Sequence, residues 1–121
     1  MAVERFTGSQ TDAKPSATDL TGKEFFLATR VPGGFTLAGA GAKVAGVISE
    51  GKAVGLHSSV KTGNQLKAVA GAAIAVGDTL ASDAAGKAVP AGAGASGFGV
   101  AMSAAANGEM VTFDMSQTGP A

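Results

Sequence analysis

The chain has 121 residues, nine basic against nine acidic, and no Cys, Trp or Tyr. That length suits one domain; the missing Cys excludes a disulfide framework and a thiolate metal site; the balanced charge, without a like-charge run, leaves no basic stripe for nucleic acid. Six Phe as the sole aromatic residues argue against a base-stacking or sugar-binding surface, and no apolar run approaches the roughly 18 residues of a membrane-spanning helix, so no membrane partner is expected.

The first 22 residues are rich in Ser, Thr, Gly, Asp and Lys, with Phe6 as their one aromatic residue. With that polarity no signal peptide is expected. They are read as an extended N-terminal arm that forms no structure of its own. The β-rich domain is expected over 23–116, with Glu24 to Thr29 as its first strand and 117–121 as a frayed tail. Val31-Pro32-Gly33-Gly34 reads as a turn, because Pro removes a donor and Gly relaxes φ. Phe35 to Leu37 is a short strand. Val44 to Ser49 and Ala53 to Ser58 form a pair around Glu50-Gly51-Lys52. Leu66 to Ala70 follows Thr62-Gly63-Asn64 as a further strand.

From Val76 onward the sequence reads as consecutive hairpins. Gly77-Asp78 opens a turn, and Thr79 to Ser82 runs extended. Asp83 to Gly86 turns the chain back into Lys87-Ala88-Val89. Asp at the head of such a turn bonds its own backbone, and Gly at its end takes positive φ. Gly92 to Gly97 is a surface loop. Phe98, Val100 and Met102, and then Val111, Phe113 and Met115, recur at every second position. Period two buries one face of a strand. Asn107-Gly108 before the last strand is a hairpin signal. Seven or more short strands at close spacing predict a mainly β fold, a small antiparallel barrel or sandwich. No repeat of fixed period is evident.

Catalytic and ligand chemistry finds little support. Gly92 to Gly97 matches G-x-G-x-x-G, but a strand pattern follows it where the motif needs a helix. His57 beside Ser58 and Ser59 lacks the surroundings of a nucleophile elbow, and one His without Cys makes no zinc site. Asp78 and Asp83 shape turns; their spacing is not that of a calcium loop. Lys61 and Lys67 bracket Thr62 to Leu66 and read first as a solvated hairpin end, with contact to an acidic partner surface as the alternative. No enzyme activity, cofactor, metal or small-molecule substrate is expected.

The order Val76-Gly77-Asp78-Thr79-Leu80-Ala81-Ser82-Asp83, Gly86-Lys87-Ala88-Val89, Gly99-Val100-Ala101 and Gly108-Glu109-Met110-Val111 resembles a family of small tailed-phage head proteins. These are the capsid decoration, or cement, proteins. The likeness is clearest over 69–115, weaker over 44–68, and absent from the first 22 residues. It implies a non-enzymatic homotrimer, made in the host cytoplasm and seated on the outer capsid surface of the virion. Its partner there is the major capsid protein, whose subunit contacts it stabilises. The arm, through Arg5, Phe6 and Lys14, is the candidate capsid contact, by strand addition to an exposed sheet edge. Gly77, Asp78, Asp83, Gly86, Asn107 and Gly108 are the turn formers. The rival reading is a β-rich domain of a head fibre or tail component.

Overall fold

The structure is a computed structural model that describes residues 9–63, 65–91 and 96–120, with 9–12, 96 and 116–120 described by their backbone alone. It is an all-β sandwich of two five-stranded antiparallel sheets, and no helix is present among the described residues. The first sheet runs in the order β1 (Ser9–Pro15), β5 (His57–Gly63), β4 (Gly46–Glu50), β2 (Leu27–Val31), β3 (Gly34–Leu37). The second runs β6 (Leu66–Val69), β10 (Met110–Pro120), β9 (Ser96–Ala101), β7 (Thr79–Ser82), β8 (Ala88–Pro90). Each half of the chain thus builds one sheet.

Alternation along the strands explains the packing. Leu27 and Val47 face the second sheet and pack with Leu66, Leu80, Phe98 and Phe113. Ala28 and Ile48, one residue on, point the opposite way and form a second cluster with Leu20, Phe35 and Val60. The first sheet therefore buries apolar side chains on both faces, although its strands are antiparallel. It does so by curling. Ser16, just past β1, bridges to Phe35 of β3, so the two edges of the sheet meet. At that meeting Gly34 is obligatory. Its φ is +128°, and a Cβ there would lie 1.9 Å from the Pro15 carbonyl oxygen.

Residues 9–22 depart from the expected arm. β1 pairs with β5 from Ser9 opposite Gly63 to Pro15 opposite His57. The Ser16 amide donates to the Leu56 carbonyl oxygen (2.8 Å), and the Leu20 amide to that of Lys52 (2.9 Å). Leu20 is fully buried. No break falls at residue 23, because a polar segment can satisfy its backbone at an open sheet edge and needs one apolar plug to seal the curl. Beside that plug, the Thr21 hydroxyl and amide hold the Asp19 carboxyl below its ordinary range.

Other boundaries move for local reasons. Glu24 to Phe26 is a turn and the strand starts at Leu27, because Phe25 sits at φ 69°. β5 starts at His57, since Ala53 to Leu56 closes a turn (3.0 Å) around Gly55 at φ 87°. The expected frayed tail from 117 continues β10, where Gly119 pairs with Gly97 and Pro120 with Ser96. Asn107-Gly108 forms no two-residue hairpin; the connection between β9 and β10 runs from Met102 to Glu109.

Candidate functional site

The turn residues are held by their own carboxylates. Asp83 Oδ1 accepts from the amides of Ala85 and Lys87, both at 2.8 Å. Gly86 closes that turn at φ 79° and its carbonyl oxygen accepts from the Leu27 amide at 2.7 Å. Gly86 is buried, so this turn docks on the start of β2 and is not a free hairpin end. Asp78 Oδ2 accepts from the Ala75 amide at 2.9 Å, and Glu109 Oε1 from the Ala106 amide at 2.8 Å. Gly77 and Gly108 take φ near +90° at the same place in these two turns.

The likeness of those two turns extends further. The Gly77 amide donates to the Ala101 carbonyl oxygen (2.9 Å), and the Gly108 amide to that of Ala70 (2.8 Å). Ile74 and Ala105 exchange backbone bonds of 2.8 and 3.0 Å between them. Val69 pairs with Met110, as Val100 pairs with Thr79. Val69-Ala70, Gly77-Asp78, Leu80 and Asp83 thus correspond, at one constant offset, to Val100-Ala101, Gly108-Glu109, Val111 and Asp114. The two units are related by a local pseudo-two-fold. Reading the sequence alone missed this duplication, because Ala and Gly are so common that two copies do not stand out.

Of the candidate contact residues, Lys14 lies in β1 opposite Ser58. Arg5 and Phe6 lie outside the described residues, as do Asn64 and 92–95 of the Gly-rich loop. Ser96 and Gly97 belong to β9, so a strand follows the G-x-G-x-x-G match. His57 is exposed at the start of β5. The neighbouring Ser58 hydroxyl is fully buried, bonded to the Ser16 hydroxyl and accepting from the Lys52 amide at 2.9 Å. It is a structural bond, not a nucleophile. Among the described residues, no three His, Asp or Glu cluster as metal ligands would.

Among the described residues, two of the open surfaces bear on binding. The outer face of the second sheet carries Val100, Met102 and Met110, exposed by 38%, 45% and 44%. Register joins them: Met110 lies opposite Val69, Val100 opposite Asp114, and the Met102 amide donates to the Thr112 carbonyl oxygen at 2.7 Å. The second surface is a cleft of about 290 Å³ at the open side of the sandwich. Val47 and Leu66 floor it, and Phe25, Lys61, Gln65 and Lys67 rim it.

The sequence model of the phage cement protein family matches residues 7–116. The chain belongs to the phage cement protein family. The match covers both sheets of this cement protein, from before β1 to within β10. Among solved structures, the chain is similar to the head fibre gp8.5 N base of bacteriophage phi29, with a TM-score of 0.70 and 20% identity, over 90% of this chain and 95% of that one. At that identity the likeness is one of fold. No curated protein matches the chain.

Proposed function

We propose that this cement protein binds the outer surface of an assembled phage head and stabilises contacts between neighbouring major capsid subunits, without catalysis. The family match over 7–116 carries the reading. A protein that binds the assembled lattice and not its free subunits stabilises the lattice by linkage. The contact assigned to the arm narrows to residues 1–8 with Arg5 and Phe6, since β1 and Leu20 are committed to the fold. Lys14, exposed only in part on the edge strand, is the third contact. Co-sedimentation with undecorated heads tests this. Deleting residues 1–8 is expected to weaken head binding while the melting curve stays in place; undiminished occupancy would remove the arm from the contact.

The likeness to a head fibre base supports a second reading, a structural domain at the foot of a fibre. Electron microscopy separates the two. A cement protein populates the lattice broadly, whereas a fibre base sits at isolated fibre positions.

The homotrimer belongs to the same proposal, and the outer face of the second sheet is its candidate interface. Three adjacent exposed apolar side chains on one regular face are suited to burial against another copy. Met102→Lys combined with Met110→Lys is expected to give monomers in sedimentation velocity. The fold should survive, because both side chains point away from Phe98 and Phe113. A trimer unaffected by both charges would place the interface elsewhere.

A further inference from the structure

The cleft beside β6 has a backbone feature as well as an apolar floor. β6 is an edge strand, paired with β10 on one side. The Ala70 amide donates to the Glu109 carbonyl oxygen, on the β10 side. By alternation Leu66 and Ala68 also face β10, while Lys67 and Val69 face the open side. The Val69 amide there donates to the Phe25 carbonyl oxygen at 2.9 Å. Lys67 has no such partner among the described residues, so its N–H and C=O are both open toward the cleft.

Strain marks the same place. Phe25 (φ 69°) and Gln65 (φ 57°) are the non-Gly residues with positive φ among the described residues, and both line this cleft. A left-handed backbone at a bulky side chain is costly, and such residues cluster at binding sites. Phe25 also leaves 43% of its surface exposed. Gln65 is held by its amide, which donates to Asp114 Oδ1 at 2.8 Å. The rim carries two exposed cations, Lys61 and Lys67.

We infer that this cleft takes an extended peptide segment with alternating apolar and acidic residues, paired to the Lys67 backbone. One partner residue would exchange two hydrogen bonds with Lys67, a short case of strand addition. Period two then places its neighbours' side chains inward over Val47, Leu66 and Phe25. The acidic residues meet Lys67 on the outer side and Lys61 at the mouth. Phe25 blocks the edge beyond Val69, so pairing stops there. Only the source of the segment, a head protein, rests on the head-binding reading; the pairing does not.

The test uses the full chain, labelled with nitrogen-15, and two blocked pentapeptides, one alternating Val and Glu, the other Val and Lys. The Val/Glu peptide is expected to shift the amides of Phe25, Lys61, Leu66 and Lys67 and to slow hydrogen exchange at Lys67. The Val/Lys peptide should bind about tenfold more weakly, the scale of two exposed ion pairs replaced by repulsion. Lys61→Glu with Lys67→Glu should reverse that preference. Both positions are exposed, so the melting curve should hardly move. No shift with either peptide, equal binding of both, or shifts centred on Met102 and Met110 would overturn the inference. A wild-type protein that binds the Val/Glu peptide but not heads would instead overturn the head-binding reading.

Discussion

Phe113→Ala is expected to lower the stability of the fold by about 3–5 kcal/mol, enough to shift its melting temperature by many degrees. Phe113 is fully buried and lies in β10, which sits between β6 and β9. Its ring meets Phe98 edge to face, with centroids 5.1 Å apart and planes at 83°. Removing it leaves a cavity between the sheets and takes away the aromatic pair, which adds about 0.5–1.5 kcal/mol beyond area burial. The surroundings are poorly placed to collapse into the gap. Gly99 is the residue beside the ring, and a Cβ there would already lie 2.4 Å from the Asp114 carbonyl oxygen. Chemical denaturation of wild type and variant measures the difference. A loss under about 1 kcal/mol would mean that the two sheets pack less tightly than the structure shows.

Deleting residues 1–22 is expected to do more damage than any point change in the first sheet. It removes β1, whose seven residues all pair with β5, and with it the bond from the Ala17 amide to the Phe35 carbonyl oxygen that closes the curl. It also removes Leu20, whose truncation to Ala alone would cost about 2–5 kcal/mol at a fully buried site. The side chains of Ile48 and Val60 would then face water on the inner side of the curl. We expect the deleted protein to lose its cooperative melting transition or to precipitate. Removing residues 1–8 alone should leave the transition in place, since β1, Leu20 and both core clusters are retained. A 1–22 deletion that melts like the full chain would show that the second cluster contributes nothing to stability.

These two experiments separate the layers of the architecture. Phe113 probes the space between the sheets, and the deletion probes the curl of the first sheet upon itself. The second sheet depends on the first through that shared core and through the bonds from Leu27 to Gly86 and from Val69 to Phe25.

What the sequence by itself determined is the second half of the protein. The alternation at Val111, Phe113 and Met115 assigns β10 and its buried face, because period two has one structural solution when one face is buried. At Phe98, Val100 and Met102 it marks the strand but not the face, since Phe98 is fully buried whereas Val100 and Met102 are exposed. The acidic and Gly residues of the turns are equally legible: Asp83 with Gly86 and Gly77 with Asp78 act within four residues of one another. The family resemblance rested on these same local patterns over 44–115; the family match extends it toward the N-terminus, to residue 7.

Tertiary structure alone decided the rest. Residues 9–22 look like a polar arm because their partners, β5 and the Ala53 to Leu56 turn, lie some forty residues away, and edge pairing uses the backbone, which composition does not record. Barrel and sandwich were equally compatible with the pattern; the choice rests on which strand edges meet, and that is long-range. The duplicated unit from Val69 to Asp83 and from Val100 to Asp114 became visible only when Ile74 and Ala105 were seen to bond across it. The cleft at Phe25, Lys61 and Lys67 draws on three distant segments and on a left-handed φ at Phe25. No local rule assigns that conformation to a Phe, and its backbone bonds run to Ile48 and Val69, both far along the chain.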